Sequence, residues 1–194
     1  MRWLIFAVLM WMLAAPAWAG MKEGAAAYKR GDYRAAFGEY LPLAMMGNAK
    51  AQVPVARMYA LGQGVTRDFA TALTWYRMAA KKNDAEAQFN LGVMYGAGRG
   101  VRQDFAAAVK WFRLAAKQGS GVAQLNLAVI YGNGQGVPQD YVRGLVWSVL
   151  ASVHLPPGKQ RDTAIKNRNV LRKALTPAQL AEAQRMVNEL KPKK

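Results

Sequence analysis

Cysteine is absent from this sequence, and histidine occurs once, as His154. Without cysteine there is no disulfide framework, no thiol nucleophile and no lipidated N-terminal cysteine. One histidine and no thiol cannot assemble a zinc site of the usual kind. A hydrolytic triad would have only His154 as its base, beside Pro156 and Pro157. Acids are scarce as well: 11 Asp and Glu stand against 27 Lys and Arg, a formal net charge of +16. Paired-carboxylate catalysis would have to use Asp68, Asp104 and Asp140, which recur as helix starts, or Asp84 and Glu86, which read as cap and surface. The expectation is a chain without catalytic residues, metal or cofactor.

Long apolar runs are missing too, apart from Trp3 to Ala15. That run follows Arg2, leads to Ala17-Trp18-Ala19 before Gly20, and is shorter than the roughly 20 residues a membrane helix needs. One basic residue, a short apolar region and small residues at the end form a secretory signal over 1–19, with cleavage between Ala19 and Gly20. A periplasmic or secreted protein is expected, its stability coming from burial alone.

Glycine is plentiful, and its placement is periodic. A shift of 36 residues carries Trp75 onto Trp111 and Trp147, Tyr59 onto Tyr95 and Tyr131, and Gly64-Val65 onto Gly100-Val101 and Gly136-Val137. The same shift carries Asp32 to Asp68, Asp104 and Asp140. A repeat of this length marks a stacked array. The stretch "GVMYGAGRGVRQD" at 92–104 has the glycines and arginines of a phosphate loop, but a phosphate loop sits between a strand and a helix start. Here a helical stripe of Gln88, Leu91, Gly92 and Tyr95 comes first. Gly96 and Gly98 then suit a helix end turning through positive φ, and Asp104 suits the N-cap of the next helix. Each unit is a helix A, a glycine turn and a helix B whose apolar face, such as Phe105, Ala108, Trp111, Phe112 and Ala115, needs a neighbour to cover it.

The segment "AEAQFNLGVMYGAGRGVRQDFAAAVKWFRLAAKQG" resembles the Sel-one-like repeat, a relative of the tetratricopeptide repeat, in its A-x-A-Q-x-x-L-G-x-x-Y start, G-x-G-V turn and A-x-x-W-F/Y-x-x-A-A second helix. The resemblance implies an all-α fold, an α/α superhelix (solenoid) of such helix pairs. Repeats are placed at 49–84, 85–120 and 121–153, after a truncated opening unit at 20–48 and before basic capping helices at 154–194. It implies a non-catalytic scaffold for protein–protein interaction in the bacterial envelope. Some secreted members are β-lactamase-like, which leaves a cell-wall-directed hydrolase as the alternative. The Ser-x-x-Lys pair of such chemistry occurs nowhere: Ser120, Ser148 and Ser152 are followed three residues on by Ala123, Ala151 and Leu155.

The pattern has departures. Pro54 stands where Asn90 and Asn126 stand in the other units, and is expected to kink or shorten its helix. In the third repeat Ser148 and Val149 replace an aromatic and an arginine, and the pattern ends at His154-Leu155-Pro156-Pro157-Gly158. Thr176-Pro177-Ala178-Gln179 reads as a capping box with proline at the first helical position, so a final helix starts there.

In tetratricopeptide-like stacks helix A lines the groove, and the face away from its packing stripe falls at the second, fifth and ninth positions. Those are Lys50, Val53 and Arg57, then Glu86, Phe89 and Val93, then Val122, Leu125 and Val129. They would floor a groove for a peptide or protein segment, or else pack against neighbouring A helices. The basic excess concentrates after Leu155, where Arg168, Arg172, Lys173, Lys191, Lys193 and Lys194 are candidate contacts for an acidic envelope component, or else a solvated exterior. Nucleic acid would also answer to basic charge but is not expected behind an export signal. A monomer is expected.

Overall fold

The computed structural model describes residues 19–190, all helix and turn without a strand among them. They fall into two compact units, divided between Asp84 and Ala85. The signal expected over 1–19, apart from Ala19, and the tail lysines Lys191, Lys193 and Lys194 lie outside the described residues.

In the first unit α1 covers 19–29, and α2 (Tyr33–Met45), α3 (Ala49–Leu61) and α4 (Phe69–Lys81) follow. Ala19 and Gly20 open α1, and Gly20 is buried against Leu43. Ala27, Ala36, Tyr40, Leu43, Ala51, Val55 and Met58 form the core, with Trp75 half-buried on it. Pro54 does not shorten α3, which has 13 residues, as many as the equivalent α5 and α7. The packing of Ala51, Val53, Val55, Ala56 and Met58 on this helix outweighs one missing N–H donor.

The second unit holds α5 (Ala85–Ala97), α6 (Phe105–Lys117), α7 (Gly121–Asn133), α8 (Tyr141–His154), α9 (Lys159–Lys173) and α10 (Pro177–Leu190). One core runs through it, from Ala108 and Phe112 through Leu127, Tyr131, Val146 and Trp147 to Leu171, Ala183 and Val187. Phe89 lies against Phe112, ring centroids 5.8 Å apart.

Helix starts follow the register. Asp32, Asp68, Asp104 and Asp140 each cap a helix B, their carboxylates accepting from N–H groups of the first turn. Thirty-six residues past Asp140 comes Thr176, whose hydroxyl accepts from the Gln179 N–H at 3.4 Å while Gln179 Oε1 accepts the Thr176 N–H at 3.0 Å. The buried register positions Ala79, Ala115 and Ala151 likewise recur at Val187, and Ala128 at Ala164. The basic C-terminal pair is thus a fourth helix pair after the opening pair α1–α2, on the same period. It lacks the glycine turn: Val170 and Arg172 stand where Gly134 and Gly136 stand in the third repeat, and lie inside α9.

Candidate protein-interaction surface

The glycine stretches are turns. Gly62 and Gly64, Gly98 and Gly100, and Gly134 and Gly136 all have φ between +66° and +72°, a region costly for any residue with a Cβ. Gly96 is not among them, since α5 runs on to Ala97. A Cβ on Gly96 would sit 3.6 Å from that of Ala108, so its position instead faces helix B. Each turn closes on itself. The N–H groups of Asp68, Asp104 and Asp140 donate to the carbonyls of Tyr59, Tyr95 and Tyr131 at 2.8–2.9 Å. Those of Gln63, Arg99 and Gln135 donate to Met58, Met94 and Ile130. Gln103 and Gln139 side chains donate to Gly96 and Gly132 carbonyls at 2.8 Å. N–H groups spent in this way do not converge on an anion.

Buried glutamines recur on the period, each bonded within its own unit. Gln52 Nε2 donates to the Ala44 carbonyl at 3.1 Å, and Gln124 Nε2 to that of Ala116 at 3.0 Å. Gln88 Oε1 accepts from Gln118 Nε2 at 2.8 Å. His154, the lone histidine, places Nδ1 2.9 Å from Gln124 Oε1, so it is a partner of one of these glutamines. Among the described residues no group of three or more His, Cys, Asp or Glu is placed to hold a metal ion.

The helix A positions differ in exposure. On α3, Lys50 is exposed, Val53 is buried and Arg57 is half-buried, its charge acting on the Tyr40 phenol, which burial pushes up. On α5, Glu86 is exposed, and Phe89 and Val93 are half-buried against the unit's core. On α7, Val122 and Leu125 are half-buried against Ala151 of α8, Leu155 just after it and Ala164 of α9, while Val129 is exposed. The apolar residues at these positions therefore lean on their neighbours, with the outer part of Phe89, Val93, Val122, Leu125 and Val129 left to solvent.

The basic candidates separate into two faces of α9. Arg168 and Arg172 line a cavity of about 150 Å³ with Leu145, Leu180 and Val187, and Arg168 donates to Asn169 Oδ1 at 3.3 Å. Lys173 lies with Lys166, Ile165 and Val170 on the other face. A larger cleft, about 460 Å³, opens between α7, the start of α8 and α9. The sequence pattern did not point to it, although the replacement of Gly134 by Val170 in the fourth unit was its visible sign.

The family model described as Sel1 repeat matches residues 49–84, 85–120 and 121–152. A solved Sel1 repeat protein from Oxalobacter formigenes is similar at 32% identity and a TM-score of 0.65, over 68% of this chain and 54% of its own. A protective antigen present in uropathogenic Escherichia coli strains, displaying an SLR fold, is similar at 30% identity and a TM-score of 0.58, over 80% of this chain and 40% of its own. The chain thus spans less than two thirds of the length of either. A search of curated proteins gave no match. Proteins of this kind act in general as interaction scaffolds, and their fold is typically non-catalytic. No helix among the described residues is long and apolar enough to cross a membrane. With capped helix pairs on one period, closed glycine turns and three matched repeats covering more than half its length, the chain belongs to the Sel1 repeat family, an all-α helical-repeat fold of the solenoid class.

Proposed function

We propose that this chain is an envelope scaffold that binds a protein or peptide segment along the outward row of its A helices and carries out no reaction of its own. The row lies in the second unit and consists of Glu86, Phe89 and Val93 on α5 and Val122, Leu125 and Val129 on α7; Lys50, Val53 and Arg57 hold the same register positions on α3 of the first unit, where Val53 is buried. The observation that carries this reading is the partial exposure of Phe89, Val93, Val122, Leu125 and Val129 at helical spacing, bordered by Glu86. Such a row suits an extended or helical peptide. A signal over 1–19, cleaved between Ala19 and Gly20, supports export, so the partner is an envelope or extracellular protein.

Arg168, Arg172, Lys173, Lys191, Lys193 and Lys194 add an electrostatic attachment to an acidic envelope component. Its strength falls with salt as the screening length shrinks from about 10 Å at 0.1 M to about 3 Å at 1 M. Replacing Lys191, Lys193 and Lys194 by Gln removes three charges from the tail. Sedimentation with isolated envelopes at low and high salt is expected to fall with both treatments. Equal sedimentation of wild type and variant rules out a contribution from these three lysines.

The binding row is tested by Phe89→Asp and Leu125→Asp, which should abolish capture of partners identified by mass spectrometry from an envelope extract. Because both side chains are half-buried, helicity and thermal unfolding are measured on the same samples. Glu86→Lys, at an exposed position, provides a variant that leaves packing untouched. Unchanged capture by folded Phe89→Asp, Leu125→Asp and Glu86→Lys proteins contradicts the proposal.

A further inference from the structure

Helix B in this fold opens on an aromatic residue that meets the main chain of the next glycine turn. A Cβ at Gly64 would lie 2.5 Å from the Tyr33 carbonyl oxygen, and one at Gly136 would lie 2.2 Å from Phe105 Cβ. Tyr141 opens α8 at the same place in the register. The turn that should follow is missing, since Val170 and Arg172 continue α9 as helix. Tyr141 is left 39% exposed on a cleft of about 460 Å³, beside Val129 at 36% and Val170 at 59%. Three of the large exposed apolar side chains among the described residues thus converge on one concavity. Asn133, Asn167 and Lys166 also line it, and no acidic side chain does. Its volume falls in the range of small-ligand sites, about 300–1,000 Å³.

We propose that this cleft docks an acidic peptide segment of a partner protein. The segment's main chain takes the place on Tyr141 that a glycine turn takes on Phe105, and one apolar residue lies against Val129 and Val170. A carboxylate meets Lys166, and the Asn133 and Asn167 amides, which both donate and accept, are suited to main-chain groups. A glycine turn lies against the main chain of Tyr33 and against the Cα and Cβ of Phe105, and this precedent selects a peptide backbone as occupant at Tyr141. The charge selects the sign: Lys166 is the charged residue of the lining, and α9 carries Lys159, Arg161, Lys166, Arg168, Arg172 and Lys173 against Asp162. Burial of the apolar residue supplies affinity, and the lysine supplies selectivity and rate of encounter. This proposal rests on the scaffold reading and names a separate subsite, sharing only Val129 with the A-helix row.

The test titrates the purified full chain with a fluorescein-labelled, amidated peptide, Asp-Gly-Leu-Glu-Asp, followed by anisotropy at low salt. Saturable binding is expected, weakened about tenfold or more, equivalent to about 1.4 kcal/mol, by Lys166→Glu or by Val170→Asp, and equally by Leu→Ser in the peptide. Both side chains are exposed, so thermal unfolding should not move. Lys159→Glu makes the same charge change on the same helix outside the cleft and should bind nearly as wild type does. No saturable binding, or an equal loss in Lys159→Glu, overturns the proposal. So does selective binding of phosphatidylglycerol vesicles, without the peptide, that is lost in Lys166→Glu. If Phe89→Asp removes binding while Lys166→Glu and Val170→Asp retain it, the A-helix row stands and the cleft proposal falls.

Discussion

His154 Nδ1 lies 2.9 Å from Gln124 Oε1, at the position in the register where Gln118 Nε2 lies 2.8 Å from Gln88 Oε1 in the preceding pair. Gln124 Nε2 donates to the Ala116 carbonyl, so its oxygen must accept, and the proton of His154 sits on Nδ1. The histidine therefore does a glutamine's work. His154→Gln is expected to leave stability within about 0.5 kcal/mol, as neutral substitutions do. Gln124→Leu removes the amide's bonds to His154 and to the Ala116 carbonyl, which keeps the Gly119 N–H at 3.0 Å, and should cost about 0.5–1.5 kcal/mol. Urea denaturation of the two variants checks both values.

Glycine substitutions should rank by their surroundings. Gly136 has φ +68° and a Cβ there would meet Phe105, so Gly136→Ala combines left-handed backbone strain of about 1–2 kcal/mol with overpacking of about 1–3 kcal/mol. Gly31 has φ +82° with open space around it, so Gly31→Ala should cost only the backbone strain. Gly92 is helical, where alanine would ordinarily gain about 1 kcal/mol, yet a Cβ would lie 2.5 Å from Phe112 Cδ1. Gly92→Ala is thus expected to destabilise. Thermal unfolding of the three variants should give Gly136→Ala the lowest midpoint.

Acid should weaken the cap of α4. The Thr71 hydroxyl, 2.6 Å from Asp68 Oδ2, and then the Thr71 and Ala70 N–H groups hold the Asp68 carboxyl below the usual carboxylate range. The folded state therefore binds this proton less readily than the unfolded state. The resulting stability is fully present above the unfolded value, about 3.9, and is lost as pH falls through the lower folded one. Thr71→Val removes the hydroxyl, so the stability difference between wild type and Thr71→Val should shrink as pH falls from 5 to 2. Denaturation across that range reads it. A difference that grows in acid contradicts the assignment.

The parts of this fold legible in sequence are those set by local chemistry repeated on one period. An aspartate before α4, α6 and α8 and a glycine pair after α3, α5 and α7 act within a few residues of themselves, so Asp104 and Gly98 could be placed without a neighbour in view. Gly96 could not, because its role is to approach Ala108 on another helix. Pro54 looked like a break for the complementary reason, since the packing that holds α3 intact is non-local. The A-helix row was legible as a row. The extent to which each member is covered was not, because Leu125 is shielded by Leu155 and Ala164, from segments outside its own repeat. The cleft at Tyr141 depends on a turn that is missing, and a motif reading finds turns that are there.

The scaffold account is tested most directly by placing a photo-reactive residue at single sites of the full chain in cells: at Glu86, Val93 or Val129 on A helices, and at Lys110 or Arg113 on the exposed side of α6. The account predicts a discrete cross-linked partner protein from the A-helix sites and none from Lys110 or Arg113. Cross-links of equal yield from both sets, or from Lys110 and Arg113 alone, would contradict it.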